Sequence, residues 1–224
     1  MKKSLLTEAI IKYIAGVVLL GVLLFVPAGT IKWPNGWLFM AVLFIPMLAA
    51  GIVMYLKAPD LLRSRLNAKE KEKTQQGVIK YSGLMFLAAF IVAGLNFRNK
   101  NWVGFPEFVV RFGVIIFLVS YATFAEVLRE NAYLSRTIEV QKGQKVVSTG
   151  LYGIVRHPMY SATVFLFLSM PLILNSPIAF LIMLVYIPII IIRIKNEEEV
   201  LEKELDGYKE YKKKVRYKLI PFIW

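Results

Sequence analysis

The chain has 224 residues, 57 % of them hydrophobic and 19 % charged, where a soluble domain holds roughly 45–50 % and about 25 %. The mean hydropathy is +0.57; that composition excludes a soluble globular enzyme and a disordered chain, and the length allows one domain with a small appendage. A net charge of +13 would suit nucleic acid, but Lys and Arg gathered in cytoplasmic loops give a membrane protein the same excess, so no nucleic acid partner is expected.

Four long apolar runs come first, over residues 13–31, 37–56, 78–95 and 108–128. Each approaches the roughly 20 residues needed to cross ~30 Å of hydrocarbon. The first follows the basic start Met1-Lys2-Lys3. Its apolar core is too long for a signal peptide and no clear cleavage site precedes the next run, so it is expected to remain as a membrane helix. Two shorter runs, 159–174 and 178–192, are separated only by Asn175-Ser176-Pro177, a tight turn signal. They read as a helical hairpin of two short spans, with a re-entrant pair as the alternative. The expected fold class is an all-α membrane protein with about six transmembrane helices. Residues 1–128 form a four-span membrane region and residues 129–224 a second region.

In that second region, residues 129–156 mix Thr, Val, Gln, Gly and Lys and read as extended or irregular chain. Residues 194–215 read as an amphipathic helix. Ile194, Leu201, Leu205, Tyr208, Tyr211 and Val215 recur on one face, opposite Lys and Glu. Such a helix rests on the protein or on lipid headgroups.

The charge distribution gives an orientation. With six spans, 24 of the 28 Lys and Arg fall on one side, and Lys32, Arg98 and Lys100 on the other. The positive-inside rule then places both termini in the cytoplasm of a multi-pass membrane protein.

The absence of Cys excludes disulfides, Fe–S clusters and a thiol nucleophile. The single His, His157, cannot build a two-histidine zinc site within one chain, so no metal is expected. Neither a dinucleotide-binding glycine pattern nor a P-loop is present, and no Ser-His-Asp set can be assigned.

Polar chemistry gathers in two clusters. The first runs Gly150-Leu151-Tyr152-Gly153-Ile154-Val155-Arg156-His157-Pro158-Met159-Tyr160. Pro158 suits a first helical turn, and His157 would sit at the helix start, where free backbone N–H groups favour polar ligand atoms. The second runs Arg193-Ile194-Lys195-Asn196-Glu197-Glu198-Glu199. Arg193 and Glu197 are four apart and share a helix face. Each residue also has a plain structural role: interface anchoring for Arg156, a local cap for His157, a membrane aromatic belt for Tyr160, an intrahelical pair for Arg193 and Glu197. The hairpin favours the joint reading. Two antiparallel spans joined by three residues bring His157 and Tyr160 toward Arg193 and Glu197, at the membrane surface.

At these clusters the sequence resembles the isoprenylcysteine carboxyl methyltransferases and the related phospholipid methyltransferases. The matching elements are Val146-Val147-Ser148-Thr149-Gly150-Leu151-Tyr152, then Arg156 to Tyr160, then Arg193 to Leu201. Tyr208, Tyr211, Val215 and Ile220-Pro221-Phe222 follow in order. Ala162 stands where a Gly is common in the family, and Gln144 where a His is. The resemblance implies S-adenosylmethionine as cofactor, held by Gln144, Lys145, Val146, Val147, Tyr152, His157, Pro158, Met159, Tyr160 and Glu197. It places Arg193 at the catalytic position, facing an anionic group of the substrate. The substrate would be lipophilic or prenylated, entering from the membrane lipids, and one monomer can hold the whole site. Sterol-type reductases resemble the family in the same region but use NADPH, which is the alternative activity. A small non-enzymatic transporter or membrane partner is the alternative from another class.

Overall fold

The computed structural model describes residues 2–66, 73–99, 103–131, 133 and 140–224. The described residues form α1 (Lys2–Ala28), α2 (Pro34–Lys57), α3 (Pro59–Leu66), α4 (Lys73–Arg98), α5 (Glu107–Glu130), a 3₁₀ turn (Gly150–Gly153), α6 (Pro158–Ile173), α7 (Pro177–Met183), α8 (Tyr186–Glu204) and α9 (Tyr208–Lys214). There is no strand among them. Pro34, Pro158 and Pro177 each stand in a first helical turn, where the missing N–H costs nothing.

Among the described residues, five helical stretches are long and apolar enough to cross a membrane: Leu5–Ala28, Pro34–Lys57, Gln76–Arg98, Glu107–Glu130 and Pro177–Glu204. The α6 helix, of 16 residues, reaches about 24 Å and is shorter than a bilayer core. The second arm of the expected hairpin is α7 and α8 in near-continuous line. They part at Leu184-Val185 because Pro188 has no N–H for the Leu184 carbonyl and its ring crowds that carbonyl. The gap is closed by tighter bonds, Val185 N to Ile182 O at 3.1 Å and Ile187 N to Leu184 O at 3.0 Å.

Two segments differ from the sequence reading. The short helix α3 was not expected between the second and third apolar runs; Pro59 starts it and Arg63 pairs with Asp60 at 3.0 Å. The amphipathic stretch 194–215 is not one helix. It stops at Glu204, turns through Gly207 (φ 82°) and restarts as α9. The turn preserves the apolar face: Leu205, Tyr208, Tyr211 and Val215 form one cluster with Leu201, Val140 and Val146. The face therefore packs on the protein's own irregular segment.

The main core is continuous through the bundle. Trp33, Phe39, Phe117, Ile173, Met183 and Ile194 are all buried within it. Helix α1 lies along α4, α5 along α6, and α4 along α7. Contact between α1 and α4 depends on Gly94. A Cβ there would stand 2.6 Å from the Leu24 carbonyl oxygen and 3.0 Å from the Ala28 nitrogen. Close backbone approach at a small residue is how helices associate where lipid removes the hydrophobic drive. Outward faces carry exposed Val18, Val26, Ile45 and Val119, as surfaces meeting lipid do. Asn175 (φ 57°) turns the chain between α6 and α7, and its Oδ1 accepts from Phe105 N. Ser176 caps α7 by accepting from Ala179 N at 3.3 Å.

Candidate functional site

The start of α6 is held by a clamp. Arg156 N donates to Tyr217 O and His157 N to Lys218 O, each at 2.9 Å, so residues 215–219 lie beside the helix entrance. Arg156 Nε donates to Glu198 Oε1 at 2.7 Å, and its Nη1 donates to the Val215 and Arg216 carbonyls at 2.7 and 2.8 Å. His157 Nε2 lies 3.2 Å from the same Glu198 oxygen. A carboxylate can only accept, which assigns the shared proton to Nε2. Lys218 Nζ reaches the other oxygen at 3.2 Å. The Arg156 and Glu198 side chains are 4 % and 5 % exposed. Burying a charge pair costs several kcal/mol per ion, roughly, and holds only where the remaining donors and lone pairs are satisfied. Here they are.

This arrangement corrects the sequence reading of Arg156. It is not a lipid-facing anchor: its guanidinium ties α6, α8 and the final segment together, and Arg156 also lines the cleft described below. Glu198 was missed because three consecutive Glu look alike in sequence. Successive helical residues turn by about 100°, so Glu197 and Glu198 face different surroundings. His157, expected to approach Glu197, reaches Glu198 instead, and its ring stacks on Tyr160 at 5.6 Å between centroids.

One turn further along α6, Tyr160 joins the other pair. Its hydroxyl donates to Glu197 Oε2 and accepts from Arg193 Nε at 2.9 Å. The guanidinium carbon lies 5.9 Å from the Tyr160 ring centroid. Arg193 and Glu197 are thus joined through a residue of the opposite arm. Deeper in the same gap, Thr163 Oγ1 meets Tyr186 OH at 3.1 Å.

Arg156, His157, Tyr160, Arg193 and Glu197 open onto one cleft, with a volume of about 90 Å³. Of the residues singled out in the sequence, Gln144, Lys145, Val146, Val147, Tyr152, His157, Met159, Tyr160, Arg193 and Glu197 line it. Pro158 does not; it is buried as the first residue of α6 and acts by starting that helix. The Gln144 side chain turns back on its own loop and accepts from Gln141 N at 2.9 Å. Asn131, Tyr133, Leu201, Leu205, Tyr208 and Tyr211 also line the cleft and were not proposed from sequence. The repeating apolar face of 194–215 was the available signal for four of them.

The wall around Tyr152 depends on Gly150. Its φ is 52°, and a Cβ would fall 1.5 Å from Glu130 Oε1. Only glycine lets the Glu130 carboxylate accept from Leu151 N at 3.1 Å. Tyr152 OH accepts from Asn131 Nδ2 at 3.0 Å, and Tyr211 OH donates to the Tyr152 carbonyl at 2.7 Å. Burial pushes the Tyr152 hydroxyl up to about 12, against the opposing effect of the Asn131 hydrogen bond, so it stays protonated at neutral pH. The Tyr208 hydroxyl is buried and has no hydrogen-bond partner.

A bundle of apolar helices with one polar cleft at the end of a short hairpin defines a multi-pass membrane protein with a single composite site among its described residues. Residues 108–206 match the phospholipid methyltransferase family. The match runs from α5 to the end of α8 and takes in both clusters that carry the resemblance. The chain is also similar to the delta(14)-sterol reductase of Mus musculus, 29 % identical over 91 residues, which is 39 % of this chain and 22 % of that protein. The chain thus spans about a fifth of the length of this curated relative.

Proposed function

We propose that the protein transfers a methyl group from S-adenosylmethionine to a lipophilic substrate at the cytoplasmic membrane face, in the manner of isoprenylcysteine carboxyl O-methylation. The observation that carries this reading is the Tyr160 hydroxyl joining Arg193 and Glu197 across the hairpin, within the region matching the family.

The cleft's chemistry fits that cofactor. At one end stands the Glu197 carboxylate, an acceptor for an ammonium group, beside the Tyr160 ring, whose face suits a cation. At the other end Val146, Leu201 and Leu205 offer apolar surface for a purine. An extended ligand of that size exceeds the 90 Å³ of the cleft and would reach into its mouth.

When bound, S-adenosylmethionine supplies a methyl group already activated by the positive sulfur. What remains for the protein is alignment and exclusion of water. Arg193, half-buried and held by Tyr160, would orient an anionic nucleophile by charge and by its planar donor fork. A carboxylate nucleophile needs no base. An amine must lose a proton, and His157 or Glu197 would take it. Lipophilic substrate would come sideways from the lipid, cofactor from the water side.

A second reading rests on the sterol reductase similarity: hydride transfer from NADPH in the same cleft. Calorimetric titration of detergent-purified protein with S-adenosylhomocysteine and, separately, NADPH tests both. Saturable binding of the first alone is expected. Binding of NADPH alone moves the reading to a reductase, and binding of neither by folded protein removes both.

A further inference from the structure

Five tyrosines line the cleft: Tyr133, Tyr152, Tyr160, Tyr208 and Tyr211. Four have hydroxyl partners. Tyr133 donates to the Gly143 carbonyl, Tyr152 accepts from Asn131, Tyr160 bridges Glu197 and Arg193, and Tyr211 donates to the Tyr152 carbonyl. The Tyr208 hydroxyl is the exception: the residue is 4 % exposed, and its oxygen reaches neither a protein partner nor solvent. A buried hydroxyl left unpaired lowers stability, and native proteins seldom leave one without a use.

The surroundings indicate what the hydroxyl serves. Tyr208 packs with Leu205, Tyr211 and Val215, and Val146 and Leu201 lie against that cluster. The Tyr208 and Tyr211 rings sit 5.8 Å apart, tilted by 52°. This end of the cleft is a mostly apolar wall with two hydroxyls in it, of which that of Tyr211 is already taken by the Tyr152 carbonyl. The charged groups that would receive an amino-acid moiety, Glu197 and Arg193, meet at the Tyr160 hydroxyl. Flat apolar faces with one polar contact at the rim match a heteroaromatic base, which is apolar above and below and polar only around its edge.

We infer that the Tyr208 hydroxyl is the protein's polar contact to the edge of the cofactor's adenine, completed only when ligand is bound. The inference rests on the methyltransferase reading and adds a binding residue to it. It makes an unusual pairing of effects. Removing the hydroxyl takes away an unsatisfied group in the free protein but a hydrogen bond in the complex. Stability without ligand should hold or rise while affinity falls. Tyr211 behaves oppositely, since its hydroxyl already has a partner and its loss strands the Tyr152 carbonyl.

The experiment compares the unsubstituted protein with Tyr208→Phe and Tyr211→Phe in detergent, reading the ligand-free melting temperature and the affinities for S-adenosylhomocysteine and adenosine. Tyr208→Phe is expected to melt at or above the unsubstituted protein. It is expected to bind both ligands roughly three- to tenfold more weakly, the range of one neutral hydrogen bond. Tyr211→Phe is expected to melt lower. Unchanged S-adenosylhomocysteine affinity in Tyr208→Phe overturns the inference. So does a loss for S-adenosylhomocysteine without one for adenosine, which would put the hydroxyl at the amino-acid end. A clear fall in the Tyr208→Phe melting temperature overturns it too, by revealing a partner within the protein. If the unsubstituted protein binds neither ligand, the methyltransferase reading fails and the inference with it, an outcome visible before any variant is made.

Discussion

The helices before residue 130 and the chain after it share one core but are held by different forces. In α1, α2, α4 and α5 the contacts are apolar and short-range: Trp33 stacks on Phe97 at 5.2 Å, Phe39 meets Phe117 edge-on, and Gly94 lets α4 touch the α1 backbone. Polar links are few and isolated, such as Tyr13 OH to the Phe44 carbonyl at 3.1 Å. After residue 150 the fixed points are charged. Glu198, buried, gathers Arg156, His157 and Lys218. A lipid-facing bundle tolerates small losses of packing because lipid replaces some contacts. A buried charge centre tolerates no missing member, because the survivors stay charged in a poor solvent.

The largest expected effect tests that difference directly. Glu198→Ala leaves Arg156 uncompensated and should lower stability by about 3–5 kcal/mol, read as the unfolding midpoint in detergent. A loss near that of an ordinary surface change would break the contrast. Glu197→Ala comes next and separates site from scaffold: affinity for S-adenosylhomocysteine should drop about 10- to 100-fold, the worth of a charged hydrogen bond, while stability falls by less than in Glu198→Ala, since only the Tyr160 hydroxyl loses its acceptor. In the first region, Gly94→Ala pushes α1 away from α4 and should cost about 1–3 kcal/mol by overpacking, with ligand affinity preserved. An affinity loss as large as that of Glu197→Ala would show the two regions to be coupled. The smallest effect is Tyr13→Phe. Hydrogen bonds between membrane helices average about 0.6 kcal/mol, so its melting temperature should stay within a degree or two of the parent's.

Much of this protein is legible without a structure, and the illegible part has a physical pattern. Apolar runs mark the long helices because each must satisfy its own backbone in lipid, which makes hydropathy a local property. Asn175-Ser176-Pro177 marks the turn for the same kind of reason: a positive φ, a cap and a missing N–H act within three residues. The convergence of Tyr160 on Arg193 and Glu197 follows from hairpin topology and the four-residue spacing. The role of Glu198 does not, since it depends on helix rotation and on where residues 215–218 return. The break at Gly207 hides for another reason. The apolar spacing on either side of it remains in phase, so the pattern suggests one helix where there are two.

Composition and periodicity by themselves determined a basic, multi-span helical protein with polar residues concentrated in its last third, because those signals arise from each segment's exchange with lipid or water. Only the tertiary structure decided which carboxylate holds the scaffold and which opens to the cleft. It alone seated α9 against Val140 and Val146 and left the Tyr208 hydroxyl unpaired. Those facts depend on groups many residues apart arriving within about 3 Å of one another, or failing to, a distance that no local pattern encodes.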